Sequence, residues 1–322
     1  MARAPQVTHP GMDADSAGPS PDPAIESLVE ALLARCTFPT AGTPLVCGVS
    51  GGPDSLALLV LATAAGCAVT AVHVDHGLRR GSDDESAVVA TAATRFGAAF
   101  RTERVDLADG PNLEARARAV RHQVLGEGAA TGHTADDQAE TVLANLLRGA
   151  GVHGLAGMRA GPTHPILALR RRETVDLCVR LGLETVDDPS NQDPRFLRNR
   201  VRAELLPLCA DIAGRDVVPV LARQAALLAG DADLLDSWGG LLDPTDAAVL
   251  AAAPPAQARR AVRGWLTGAG PYPPPADAVE RVLEVARLER RAAEVPGGVR
   301  VTRSRGRLSL SPVKGPGAPI QS

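Results

Sequence analysis

Ser50-Gly51-Gly52-Pro53-Asp54-Ser55 packs two glycines, two hydroxyls and one carboxylate between the apolar run Leu45–Val49 and the apolar run Leu56–Leu61. A buried strand that ends in a double glycine and feeds a helix N-terminus offers backbone N–H groups and the positive end of the helix dipole to an anion. Ser50 and Ser55 add hydroxyl donors, and Asp54 suits Mg²⁺ beside phosphate oxygens. The plain alternative, an ordinary strand-to-helix turn with Ser and Asp as caps, leaves the coincidence of all these groups unexplained. The Lys-bearing G-x-x-x-x-G-K-[ST] phosphate loop is absent, and Lys314 is the only lysine in the chain. Backbone amides, Mg²⁺ and arginines must therefore neutralise phosphate.

Further groups lie downstream. Val72-His73-Val74-Asp75-His76-Gly77 closes an apolar run, which sets Asp75 and His76 toward a nucleotide bound by the first loop; a capped turn with solvated histidines is the plainer reading. Thr131-Gly132-His133-Thr134-Ala135-Asp136-Asp137-Gln138-Ala139-Glu140-Thr141 puts three acids in the first turns of a helix, where Asp136 and Glu140 share a face. Capping and the dipole account for part of this. A carboxylate cluster could also hold Mg²⁺, recognise an amine or take a proton from it. Arg116, Arg118 and Arg121 decorate one expected helix, and Arg195-Phe196-Leu197-Arg198-Asn199-Arg200-Val201-Arg202 opens another. Arginine forks fit phosphate and Phe196 could stack on a base, although such charges also form solvated faces or internal ion pairs.

The elements that must position these groups alternate. Strands are predicted at Pro44–Val49, Ala68–Val74, Phe100–Val105 and Ala129–Gly132. Helices are predicted at Asp54–Ala65, Asp83–Phe96, Leu113–Glu127 and Ala135–Arg148. The βαβα order predicts a parallel sheet with helices on both faces, with ligands beyond the carboxyl ends of the strands. The glycine-rich stretch Gly149–Gly161 is read as a long loop and candidate lid. Helices at Arg172–Leu181 and Phe196–Leu208 follow, separated by the polar loop Asp187–Pro194. A boundary is expected near 213–215, then helices at Val217–Leu242, Pro255–Thr267 and Ala276–Leu288, and a hairpin over Gly298–Leu310. The expected organisation is a tail over 1–23, a catalytic domain over 24–212, a mainly helical domain over 213–312 and a frayed end over 313–322. Met12 is a candidate alternative start.

The bulk composition is that of a soluble globular protein: 322 residues, 45% hydrophobic and 22% charged. No uncharged apolar run is long enough for a membrane span, so no membrane partner is expected. The five cysteines form no C-x-x-C pair, which speaks against zinc ribbons, iron–sulfur sites and disulfide frameworks and fits a cytoplasmic location. A net charge of −3 gives no global field for nucleic acid, leaving that task to local arginine clusters.

The sextet resembles the signature of the N-type ATP pyrophosphatases. Together with His73–Gly77, Glu114 with Arg116, His133–Thr141, Leu147-Arg148-Gly149-Ala150-Gly151, Asp188-Pro189-Ser190-Asn191 and Arg198–Arg202, the chain from about Leu45 to Leu208 is similar to the tRNA(Ile)-lysidine synthase family. The resemblance implies an adenine nucleotide α-hydrolase-like (PP-loop) fold followed by a tRNA-docking domain. It also implies ATP and Mg²⁺ as cofactors, and free L-lysine and an isoleucine tRNA with a CAU anticodon as substrates. The oligomeric state is left open, a homodimer being one option. The implied reaction adenylates C2–O of the wobble cytidine, after which the lysine ε-amine displaces AMP. By the same resemblance Ser50, Gly51, Gly52, Pro53 and Ser55 grip pyrophosphate with Asp75 and His76 nearby, and Asp54 and Asp137 hold the metal. Asp54, His133, Asp137, Glu140 and Arg200 form the catalytic set, while Arg116, Phe196, Arg198 and Arg202 meet the tRNA. Thr134 stands where members often have a second histidine, His122 where a Tyr is common, and Phe196 where a Tyr is frequent. A tRNA thiolase or a small-molecule adenylating ligase of the same superfamily is the nearest alternative, and a non-catalytic nucleotide- or RNA-binding module a more distant one.

Overall fold

A computed structural model describes residues 22–75, 82–105, 116, 120, 123–187, 193–267 and 274–313. Within them the chain forms two compact units, one holding residues up to Asp137 with Ala160–Asp193, the other Gln138–Arg159 with Pro194 onward.

The first unit is built on a four-stranded parallel sheet in the order β3-β2-β1-β4. Its strands are β1 (Pro44–Gly48), β2 (Ala68–Asp75), β3 (Ala99–Arg104) and β4 (Ala130–Thr131). The central pair is in register from Pro44 opposite Ala68 to Gly48 opposite Val72, and Gly48 also faces Thr131. Apolar residues on β1 and β2 bury into one core with helix α2 (Pro53–Ala64), seven of whose residues from Leu56 to Ala62 are buried in an unbroken run. A helix apolar all round is a helix buried all round. Helix α1 (Pro23–Leu33), a stretch almost wholly inside the expected catalytic domain but given no element from the sequence, starts with an Asp22 cap accepting from the Ala24 N–H at 2.9 Å. Leu32 of that helix joins the same core. Helix α3 (Ser82–Arg95) precedes β3. Most of the helix expected at Leu113–Glu127 lies outside the described residues.

Helix α4 (Ala135–Leu147) crosses from the first unit into the second. The glycine-rich stretch after it is not a free lid. It contains a short helix, α5 (Val152–Leu155), and the Gln138 amide accepts from the Met158 N–H at 2.8 Å and donates to the Met158 carbonyl at 2.9 Å. Asn145 donates to the Gly154 carbonyl, and Arg159 forks onto Asp233 at 2.6 and 2.7 Å. Side-chain amides thus give the loop the partners a sheet would have given it.

Helix α6 (Arg171–Arg180) completes the first unit. The expected helix over Phe196–Leu208 is three pieces: α7 (Leu197–Arg200), a π-turn over Val201–Leu205, and α8 (Leu206–Ala213). The Leu206 N–H reaches back to the Val201 carbonyl, and Pro207, lacking an N–H, follows at once. An inserted residue of this kind re-aims the side chains around it. Helices α9 (Val218–Gly239), α10 (Ala247–Ala252), α11 (Pro255–Thr267) and α12 (Ala276–Ala286) follow. The expected hairpin is the β6–β7 pair of a three-stranded antiparallel sheet, β5 (Ala292–Val295), β6 (Val299–Ser304) and β7 (Arg307–Pro312). The second unit is therefore helical with a small sheet.

Candidate active site

The site begins at the point in the sheet where β1 has β2 on one side and β4 on the other. Connections leaving β1 and β4 diverge there and open a crevice at the strand ends. Ser50–Ser55 lies after β1, and Gly132–Thr134 lies after β4. The glycine loop is held by its own hydroxyls: the Ser50 N–H donates to Ser55 Oγ at 3.1 Å, and Ser55 Oγ donates to the Gly52 carbonyl at 2.8 Å. Gly51 has φ +86°, and a Cβ there would stand 2.8 Å from Val186 Cγ2. Gly132 lets β4 run beside the loop, since a Cβ on it would meet the Asp54 carbonyl oxygen at 2.7 Å. Gly52 caps helix α2 without a side-chain bond to its first turn, and Pro53 opens the helix. This leaves a helix N-terminus dressed for an anion.

Asp54 follows in that first turn. Its carboxylate accepts from Thr174 Oγ1 and, at 3.2 Å, from Arg171 Nε. The same guanidinium donates through Nη2 to Asp137 Oδ1 at 2.8 Å, while Asp137 Oδ2 takes the Thr134 N–H and hydroxyl at 2.8 and 2.9 Å. One arginine thus spans the two acids that the sequence reading named as metal ligands. Burial pushes the Asp54 carboxyl above its ordinary value of 3.8, against the bond from Thr174 and the charge of Arg171, and the nearby Asp137 adds to the rise. Asp136 faces a different partner: Arg170 forks onto it at 3.0 and 3.1 Å, and the Arg171 N–H adds a bond of 2.8 Å. Burial works against its ionisation, but these donors and the two guanidinium charges win and hold it below the ordinary range.

Two carboxylates already bridged by a cation, beside a phosphate-type loop, fit Mg²⁺, which takes one or two carboxylates and fills its sphere with phosphate oxygens and water. Among the described residues no group of three or more His, Cys, Asp or Glu side chains forms an all-protein cage, so the ligand would have to supply the remaining oxygens.

His133 sits just after β4 with Nδ1 2.8 Å from Thr131 Oγ1 and its ring 5.2 Å from that of His164. Asp75 ends β2, buried, with Arg104 Nε 3.9 Å away. His73, which the plainer reading left solvated, is 2% exposed, and its Nδ1 lies 3.1 Å from the Val49 carbonyl, where it ties β2 to the loop strand. His76, Glu114 and Asp188–Asn191 lie outside the described residues; Arg116 is half-buried.

In the second unit Glu140 has no exposed side-chain surface. It accepts from Arg198 Nε at 2.9 Å and from Arg202 at 2.6 and 3.0 Å. Arg200 leaves this group: it forks onto Glu204 one turn on, with both side chains more than half exposed. Phe196 is half-buried ahead of α7 in extended conformation. Of Arg198, Arg200 and Arg202, two therefore face a buried acid and one faces outward. The sequence reading missed Arg170, Arg171 and Thr174 altogether.

A parallel sheet whose first strand delivers a glycine loop to a helix N-terminus, with acids and arginine at the switch point, defines a nucleotide-binding α/β enzyme domain. Residues 24–209 match the PP-loop domain, and residues 246–309 match the TilS substrate binding domain. The tRNA(Ile)-lysidine synthase of Nocardia farcinica is 39% identical over 300 residues, covering 85% of this chain and 93% of that protein. That of Salinispora tropica is 40% identical over 300 residues, covering 83% and 90%. The chain belongs to the tRNA(Ile)-lysidine synthase family, and its first part is an ATP-binding PP-loop domain. Among solved structures, a U34-tRNA thiolase from Methanococcus maripaludis shares the fold, with a TM-score of 0.52 at 17% identity over 63% of this chain and 78% of that one.

Proposed function

We propose that this protein joins free L-lysine to C2 of the wobble cytidine in an isoleucine tRNA with a CAU anticodon, converting ATP to AMP and pyrophosphate. The observation that carries this reading is the Asp54–Arg171–Asp137 bridge next to the glycine loop, in a chain similar to lysidine synthases along nearly its whole length.

The carbonyl at C2 is urea-like and its oxygen cannot leave as oxide. In the first step O2 of the cytidine attacks the α-phosphorus, an O–P bond forms and pyrophosphate departs. The N–H groups of Gly51 and Gly52 and the hydroxyls of Ser50 and Ser55 would receive its charge. Asp54 and Asp137 would hold Mg²⁺, which supplies positive charge to the phosphates as they separate. Arg171 contributes a fixed cation to the same place and orients both acids. In the second step the neutral ε-amine bonds to C2, the C2–O bond breaks and AMP leaves. The amine then sheds a proton, for which Asp137 and His133 are the candidate acceptors. Glu140 acts by position, holding Arg198 and Arg202 in one arrangement for RNA, with Arg200 and Phe196 as further RNA contacts and Arg116 on the same task.

Sulfur transfer is disfavoured because the five cysteines form no C-x-x-C pair and three of them are buried or half-buried thiols with raised pKa values. Burial pushes Cys47 up to about 12 and Cys36 and Cys178 to about 11, so none is a thiolate near neutral pH. Pyrophosphate release from ATP tests the reading: it is expected only with the CAU isoleucine tRNA present. Release that ignores tRNA and follows a small-molecule acid would overturn it.

A further inference from the structure

The second unit contains a cavity of about 550 Å³ that no role above uses. It lies where the end of α9 meets α11. Gly239 makes that meeting close: a Cβ there would stand 2.5 Å from Arg260 Cβ. The charges inside it do not balance. Asp236 is shared by Arg260, at 2.8 Å, and His153 Nε2, at 3.0 Å. Arg263 also lines the cavity, half-buried, and has no ion pair or side-chain hydrogen bond among the described residues. One carboxylate therefore faces two guanidiniums. A half-buried guanidinium with no acid on it keeps its fork of donors available to an anion. The half-buried indole of Trp265 lines the same wall, in a chain with only 2% aromatic residues. At Gly264 a Cβ would meet nothing within 4 Å, so this stretch of the wall is open.

An unbalanced arginine, an aromatic face and room for one ligand of nucleotide size are the chemistry of a single unstacked nucleotide, its phosphate on the guanidinium and its base on the ring. We propose that this cavity takes one unstacked nucleotide of the tRNA, with Arg263 on its phosphate and Trp265 on its base. The proposal rests on the tRNA-modifying reading above and deepens it. The site gives the second unit a specific grip that its charge alone does not supply.

The test measures binding of an in vitro transcript of the CAU isoleucine tRNA to the full chain by filter retention across a salt series. Arg263→Glu is expected to weaken binding about tenfold and to lower the salt slope by about one counterion. Gly264→Phe, which adds bulk at the open wall of the cavity without removing a packed group, is expected to weaken it comparably. Arg287→Glu, the same charge reversal on an exposed residue after α12, is expected to change the affinity less than twofold. In a Trp238→Phe background Trp265 is the only tryptophan, and its emission is expected to be quenched by the transcript but not by ATP or AMP.

Equal affinity of wild type, Arg263→Glu and Gly264→Phe would overturn the inference while leaving the proposed reaction standing. So would equal losses for Arg263→Glu and Arg287→Glu, or quenching by AMP alone. A wild-type chain that does not bind the transcript at all would bring down the reaction and the inference together. Circular dichroism of each variant separates loss of binding from loss of fold, and the quenching experiment needs neither cavity variant.

Discussion

Arg171 Nε lies 3.2 Å from Asp54 Oδ2, so the acid that follows the two glycines carries a cation from a helix 117 residues further along the chain. This ties the loop to α6 and sets the charge into which polyphosphate must bind. Arg171→Ala removes the cation that Asp54 and Asp137 share. Pyrophosphate release is expected to fall at least about a hundredfold, on the scale of removing one transition-state charge partner. Arg171→Lys is expected to recover little, because one ammonium cannot reproduce a fork spanning two acids. Steady-state kinetics of both variants checks this.

Asp54→Asn is expected to abolish pyrophosphate release while leaving tRNA binding intact, as read by a release assay beside filter retention. A fully active variant would contradict the metal role. In the metal-free protein the Asp54 carboxyl is expected to titrate above the ordinary 3.8, because burial favours the protonated acid. Carboxyl NMR titration of the metal-free chain reads it, and a value at or below 3.8 would contradict the environment assigned to Asp54.

The Asp136–Arg170 pair has the opposite sign. Its folded-state carboxyl lies below the ordinary value, so the stabilisation it gives is complete above the unfolded value of 3.8 and is lost as the pH falls through the folded one. Asp136→Asn is expected to cost about 2–3 kcal/mol at neutral pH, since it removes a charged acceptor from a guanidinium with 14% of its side chain exposed. Urea unfolding at pH 7 reads the loss, and the difference from wild type is expected to shrink in strong acid.

Gly51 and Gly132 are expected to respond differently to alanine. At Gly51 the cost has two parts, a left-handed backbone and a contact with Val186, so Gly51→Ala with Val186→Ala is expected to regain only part of the lost ATP affinity. At Gly132 the obstacle is the backbone of Asp54 itself, and no side-chain change relieves it. ATP titration of the three variants measures both effects.

Glu140→Ala removes the buried acid that Arg198 and Arg202 share. A loss of about 3–5 kcal/mol in unfolding free energy is expected, together with weaker tRNA binding. Glu140→Gln keeps the shape and is expected to lose less of both.

The glycine loop and the strands around it were legible because their signals are local: an apolar run, a double glycine, then an apolar helix. Helix α1 was missed because Asp22-Pro23, a cap followed by a first-turn proline, sits at the edge of a Pro-rich tail that hides it. Strand β5 and helix α10 are only four and six residues long, too short to show a period. The clamp on Asp54 is not local at all. One signal did point to it: Arg170, Arg171 and Arg172 stand at the N-terminus of α6, where the helix dipole disfavours cations. Arginines placed there need acids from elsewhere in the chain: Asp136 meets Arg170, and Asp54 and Asp137 meet Arg171. The opposite lesson holds for Arg198–Arg202, read from the sequence as a run of phosphate- and RNA-facing arginines, where the π-turn accompanies a split, two side chains meeting Glu140 and one meeting Glu204.

The most direct test of the central claim is transfer of labelled lysine by the purified full chain, with ATP and Mg²⁺, to two transcripts sharing a CAU anticodon, the isoleucine and the methionine tRNA. The account predicts lysine incorporated into the isoleucine species alone, with one AMP formed for each lysine. ATP cleavage with no lysine in either RNA, or equal labelling of both, would contradict it.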